Sequence, residues 1–547
     1  MGLGVVTTKY GKLAGTESTE MKYAGVTYFK GVPYAKPPVG ELRWKAPQEP
    51  ECWDGVRVCD MQVPRCPQMV MEGLAFDPYD KDFYYNPNPE MSEDCLYLNI
   101  TTPAMSAGEK LPVYMWFHGG GLSSGFNSEV EFEASELARK GVITVSVNQR
   151  LNIMGYLCLP QLREEAGTCG NYGLMDEVAA LKWVYENIAG FGGDPENITI
   201  GGQSGGTWKT GALAASPMQK GMVKRVINQS SLCWLMKYKT MEEQEKDDMA
   251  FLESIGINPN ASLEELRALP FEVFYKIDFS KPFGVGPMLP GNMVCDGKYV
   301  PYTDGVKAFL EYASDCDYLT GSNYGECAMR KGFILGGKNI ETAEEFYEIL
   351  KDWSPELYEK YDLRNLISVT DATAEDTSKM LGVRGLTGFG GEMEYRYFGA
   401  FRKAIGKSAK TFSYIFSHIT PDRPEDKGTA RDKNVLKAWH SSELWYTFGS
   451  LRENVPPCRP WTETDYRLRD QMTSYWANFI ATGDPNVAGA ACKYDCAYTL
   501  PVWPESDESY SYMELGDIPT PHIGLEGALD EYLLEAVKAT RENLPEA

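Results

Sequence analysis

Between residues 110 and 235, short β-rich runs alternate with helical stretches, and no other feature limits the fold as strongly. A strand that must lie parallel to its predecessor returns through a crossover. The alternation therefore predicts an α/β fold: a large, mostly parallel central sheet with helices on both faces. Residues 112–117, 142–147, 198–201 and 225–229 read as buried strands. Between the second and third, Leu174, Val178, Leu181, Val184, Tyr185 and Ile188 recur three or four positions apart, on one face of a crossover helix over 174–188. Strands return late, at 318–320, 411–416 and near 510–514, so distant segments complete the sheet. A length of 547 residues suggests three or four domains at ~150 residues each. A sheet shared between such distant segments argues instead for a single domain, 1–547. Its insertions near 240–310 and 335–405 carry helical patterns at 263–269 and 343–350 and would cap the sheet. The polar stretch 420–432 reads as a surface loop.

Charge removes several classes of partner. With 53 Lys plus Arg against 77 Asp plus Glu, the formal net charge is −24, which repels nucleic acid and anionic lipid and favours neutral or cationic substrates. Apolar runs such as 111–117 and 142–147 fall far short of the ~20 residues that cross a bilayer, so no membrane segment is expected. The 13 Cys show no CxxC repeat or Cys/His cluster, which leaves little for a structural zinc site or a disulfide scaffold. The alternating residues 5–8 lack the basic segment and apolar core of a signal peptide. A cytoplasmic location is the expectation, with a secreted mature chain as the alternative.

Two segments match GxSxG: Gly121 to Gly125 around Ser123, and Gly202 to Gly206 around Ser204. The pattern alone is weak, since chance gives on the order of 0.3 matches in a chain of this length. Context separates the two. Ser204 follows a strand and precedes a helical stretch, 207–215, which is the strand, tight turn and helix that a nucleophile elbow requires. Ser123 follows a glycine run and reads as a loop serine. His118, Gly119, Gly120 and Gly121 come directly after the strand ending at Phe117. Consecutive glycines leave backbone N–H groups open to a ligand, as an oxyanion hole needs, although a flexible turn has the same composition. The neighbouring elbow favours the oxyanion hole.

Segments 31–44 (GVPYAKPPVGELRW), 92–99 (SEDCLYLN), 171–195 and 476–486 (WANFIATGDPN), together with the glycine loop and the elbow, resemble the type B carboxylesterase and cholinesterase family of α/β-hydrolases. The resemblance runs over almost the whole chain. It implies the α/β-hydrolase fold and a triad in the order Ser, Glu, His. Glu326, in GSNYGE after the strand at 318–320, fits the acidic position, and His440, in HSSELWYTFG, fits the base. The other three histidines have other settings: His118 in the glycine loop, His418 at a strand end and His522 near the C-terminus. The implied chemistry has Ser204 attacking an ester carbonyl, His440 as general base, Glu326 orienting it, and the N–H groups of Gly120, Gly121 and Gly205 holding the oxyanion. It requires neither metal nor organic cofactor, and its partner is a small-molecule ester. Activity should fall below about pH 6.5, where a neutral imidazole becomes protonated.

Departures from the family bear on substrate. Gln203 stands where cholinesterases carry Glu, and Tyr85, in YYNPN, stands where they carry Trp, so both candidate substrate contacts weaken a choline preference. Ser231 replaces the glycine of the family's QSG. The family's N-terminal disulfide corresponds to Cys66 and Cys95, which stay as thiols in a reducing compartment. Three functions compete: a serine carboxylesterase for neutral, moderately hydrophobic esters, a non-catalytic interaction protein of the cholinesterase-like kind, and a triad hydrolase for aryl esters, lactones or amides.

Overall fold

Every residue of Leu111–Phe117 is buried, as befits a strand covered on both faces, whereas Tyr97–Thr102 alternates, burying Leu98, Ile100 and Thr102. These strands belong to a computed structural model that describes residues 2–69, 89–232, 236–275, 289–326, 340–386, 391–452, 458–492 and 496–539. The chain divides into two compact units. One comprises Met1–Val226, Cys233–Ser314 and Gly489–Tyr494; the other comprises Ile227–Leu232, Asp315–Ala488 and Asp495–Ala547.

In the first unit, β1 (Thr16–Glu17), β2 (Thr27–Pro33), β3 (Tyr97–Thr102), β4 (Leu111–Phe117), β5 (Ile143–Val147) and β6 (Gly193–Gln203) stand in the order β1-β2-β3-β5-β4-β6. β4 runs parallel to both β5 and β6, and β1, β2 and β3 add an antiparallel flank. The chain leaves β4 for β5 on one side and then returns past β4 to β6 on the other. Strand order thus reverses at β4, the place where open α/β sheets bind ligands beyond their carboxyl ends. Helix α1 (Tyr172–Asn187) makes the crossover and packs on α2 (Gly205–Ala214), which follows β6.

The strand β7 (Arg225–Gln229) straddles the division between the units. In the second unit, β8 (Asp317–Asn323), β9 (Thr411–Phe416) and β10 (Tyr512–Leu515) run parallel, and β11 (Pro519–His522) closes the edge antiparallel to β10. Helix α3 (Glu392–Ala404), which lies within the expected insertion 335–405, packs on β8 and β9, with Phe398 edge-on to Tyr318 at 5.2 Å. Helix α4 (Glu463–Thr482) opens with a Thr462/Asp465 capping box and stops at Gly483 in the left-handed region (φ 83°). Its Trp476 and Phe479 pack on Tyr414 and Phe412 of β9.

The strands read from sequence are all present, some of them longer: 198–201 extends to Gly193–Gln203 and 318–320 to Asp317–Asn323. The strand pairing is mixed in each unit, because the antiparallel strands β1 to β3 flank the first and β11 edges the second.

Candidate active site

β6 ends at Gln203 and α2 begins at Gly205, so a single residue, Ser204, turns the chain, with φ 55° and ψ −123°. A non-glycine residue in that region costs about 1–3 kcal/mol and persists only where its surroundings impose it. Here close backbone approach does so. A Cβ on Gly202 would lie 2.3 Å from Gly206 O, one on Gly206 2.1 Å from Phe117 O, and one on Gly205 2.0 Å from Gly121 O. The backbone N–H of Thr207 donates to Ser204 O at 2.9 Å and starts the helix. Ser204 itself stays partly exposed.

Phe117 of β4 pairs with Gly202 of β6, so the loop after β4 emerges beside the elbow. Gly120 (φ 82°) and Gly121 (φ 65°) adopt conformations that L side chains rarely reach, and Ser123 and Ser124 N–H donate to Gly120 O at 3.2 and 3.1 Å. Gly121 is thereby brought against Gly205, the residue after Ser204, with the Gly205 N–H in the first turn of α2, where backbone donors are unsatisfied by the helix itself, while Gly120 packs on Ser124. Gln203 is buried, its Oε1 beneath Gly119. Ser123 lies in a turn with no helix following it. Tyr85 lies outside the described residues.

In the second unit, Glu326 comes just after β8 and bonds to Nδ1 of His440 through Oε2. Its other oxygen accepts from Ser230 Oγ at 2.5 Å and from the Asn323 N–H at 3.0 Å. Gly325 N–H donates to Ala438 O at 2.7 Å and Asn323 Nδ2 to Trp439 O at 2.7 Å, which fixes the backbone leading into His440. Burial alone would raise the Glu326 carboxyl, but the His440 charge and the bonds from His440, Ser230 and Asn323 outweigh it and hold the pKa below the ordinary value. Nearby Glu443 goes the other way, to about 7, because it is buried and faces the Glu326 charge. The remaining histidines bind elsewhere: His418 to Asp465 and Asp517, His522 to Glu514 and Glu526, and buried His118 against Gln149 and Gly119.

Sequence reasoning passed over Ser230, Asn323 and Glu443. Ser230 sits beside Ser231 in the NQSS stretch, and none of the three carries a local sequence signal. Cys66 and Cys95 are buried free thiols in mutual contact. Among the described residues no group of three or more His, Cys, Asp or Glu is arranged to hold a metal ion, and no helix is long and apolar enough to cross a membrane.

The model of the carboxylesterase family matches residues 3–528. Carboxylesterase 1F of Mus musculus is 29% identical over 544 residues, covering 94% of this chain and 90% of its own. The para-nitrobenzyl esterase of Bacillus subtilis is 40% identical over 274 residues, covering 50% of this chain and 52% of its own. The crystal structure of a Geobacillus stearothermophilus carboxylesterase superposes with a TM-score of 0.70 at 28% identity, covering 95% of this chain and 97% of that one.

Proposed function

The chain belongs to the carboxylesterase family and is a carboxylic ester hydrolase, and we propose that it hydrolyses neutral, moderately hydrophobic esters through an acyl-enzyme on Ser204. His440 takes the hydroxyl proton as Ser204 attacks and returns it to the departing alcohol. Glu326 holds the imidazole tautomer and stabilises its charged form. The N–H groups of Gly120, Gly121 and Gly205 receive the oxyanion, each such donor being typically worth ~2.7–4 kcal/mol in the transition state. Water then repeats the sequence on the acyl-enzyme. The observation that carries this reading is the elbow itself: a strained, partly exposed serine with the glycine loop pressed against the helix that follows it. Support for the base comes from the Glu326–His440 bond and from the engagement of the other three histidines elsewhere.

The missing charge at Gln203 favours neutral esters, and the name of the Bacillus subtilis relative puts a para-nitrobenzyl ester on the substrate panel. The whole chain acts as one domain, with 240–310 and 335–405 as capping insertions. The single family match over 3–528 and the five crossings of the chain between its two units support this.

Hydrolysis of p-nitrophenyl acetate and butyrate by wild type and Ser204→Ala tests the assignment. Wild type should turn over both, with kcat falling about 10⁴-fold or more in the variant. Equal rates would remove Ser204 as nucleophile, and a wild type inactive on every ester tested would favour the interaction-protein reading.

A further inference from the structure

Lys209 lies on α2, five residues beyond Ser204, and is completely buried. An ammonium taken out of water costs several kcal/mol unless strong partners replace the solvent. The partners here are specific. Nζ donates to the carbonyl oxygen of His118 at 2.9 Å. With the Gln149 amide turned so that its oxygen faces the ammonium, Nζ also donates to that oxygen at 2.8 Å, while the amide nitrogen donates to Val147 O at 3.2 Å. His118 is the residue between β4 and the glycines at 119–121. The helix that carries the nucleophile thus grips, through a charge-assisted bond, the peptide on which the glycine loop turns. The close approaches of Gly205 to Gly121 and of Gly206 to Phe117 and His118 resist compression but do not by themselves prevent separation.

We propose that Lys209 is a positioning residue of the oxyanion hole, whose ammonium locks the His118 carbonyl to α2 and so fixes the Gly120 and Gly121 donors relative to Ser204. The inference deepens the proposed function and rests on it. Lys209 touches neither substrate nor reacting atoms. Its effect is geometric, and misplacement by about 1 Å at a reacting centre can cost on the order of 100-fold in rate.

The groups facing Lys209 come from each packed element: His118 from the glycine loop, Gln149 from the segment after β5, Glu177 from α1, Glu129 from the stretch after the loop, and Cys66. Burial lowers the ammonium pKa, and Glu177, Glu129 and Cys66 oppose it, leaving it at about 8. The grip therefore weakens in mildly alkaline solution, where a neutral amine is a poorer donor.

Lys209→Met and Lys209→Gln, made in the full chain, test this with p-nitrophenyl butyrate and an alkyl trifluoromethyl ketone, whose Ser204 hemiketal places an oxyanion in the hole. Lys209→Met should lose about 10- to 100-fold in kcat with KM within about threefold of wild type, and ketone affinity should fall in parallel. Lys209→Gln, which keeps an N–H donor, should lose less. A kcat within about twofold of wild type in folded Lys209→Met, or a kcat loss with unchanged ketone affinity, overturns the inference. Should neither variant fold, wild type decides: ketone affinity should fall above about pH 8, and a flat profile to about pH 9.5 overturns the inference. Ser204→Ala, run alongside, separates the two readings. If Ser204→Ala is inactive and Lys209→Met is unimpaired, only the role of Lys209 fails; if Ser204→Ala remains active, both fail.

Discussion

At the residue scale, Glu326 works because it stays ionised against its burial. One carboxylate oxygen is committed to His440, while Ser230 Oγ and the Asn323 N–H share the other. Hydrogen bonds to the charged form lower a carboxyl pKa, and each net bond to a charged group is worth about 1.5–3 kcal/mol. Ser230→Ala removes one donor and leaves the His440 contact in place. Glu326 is a group whose pKa the fold depresses, so its ionised form is secure above the ordinary carboxyl range and is lost as pH falls. With a donor gone, that loss begins at a higher pH. Protonation of His440 sets the first acid limb at about pH 6.5; the further loss that Glu326 protonation adds below it should move upward, and kcat at neutral pH should fall about 5-fold. The pH dependence of p-nitrophenyl butyrate turnover measures both, and an unmoved lower limb would show that Ser230 does not tune the carboxylate.

At the scale of elements, some features were legible in the sequence because a single physical requirement wrote them. The continuous apolar runs of β4 and β5 announce strands buried on both faces, and the glycines around Ser204 announce close backbone approach. The antiparallel β2 and β3 were less legible because Lys30 and Gly31 interrupt the first at an irregular pairing and the alternation of the second spans only six residues. Helix α4 carries no clean stripe, since Met472 to Ile480 are buried at every position. Pairing of Glu326 with His440, 114 positions apart, has no local signature, so the family resemblance and not the spacing suggested it. Lys209 was invisible for the opposite reason: a lysine on a helix ordinarily faces water. The apolar stripe of α1 likewise concealed Asp176, which is buried and takes Arg150 Nη2 at 2.7 Å, Nε at 2.8 Å and the Arg150 N–H at 3.0 Å. This pair ties α1 to the segment leaving β5. Asp176→Ala leaves a buried guanidinium without its counter-charge and should destabilise the fold by about 3–5 kcal/mol. Chemical denaturation followed by circular dichroism reads that loss, and a change under about 1 kcal/mol would mean that water or a neighbour replaces the carboxylate.

For the whole molecule, acidity is both a surface and an interior property. Besides the net charge of −24, burial raises interior carboxyls among the described residues: Asp176 above its ordinary value, Glu129, Glu443 and Asp248 to about 7 and Glu177 to about 8. An acid whose pKa is higher folded than unfolded binds its proton more tightly in the native state. Its contribution is complete below the unfolded value and is lost as pH rises toward the folded one, here from about pH 4 to about pH 8. Glu326 and Asp465, the latter held at about 2, act oppositely, and their contribution is lost only in stronger acid. Lys209, depressed to about 8, regains stability only above that pH. Repulsion among the excess negative charges adds to the loss toward neutrality. Stability should therefore peak in mild acid. At ~2.1 cal/mol/K of unfolding entropy per residue, a chain of 547 residues loses about 1 °C in Tm for each kcal/mol, so Tm at pH 8.5 should lie at least about 3 °C below that at pH 5.5. Scanning calorimetry at the two values decides it: an equal or higher Tm at pH 8.5 would mean that these carboxyls are already ionised in the native state at pH 5.5. The same traces test the one-domain organisation, because a chain that crosses five times between its two units should unfold in a single transition, and two resolved transitions would assign each unit a stability of its own.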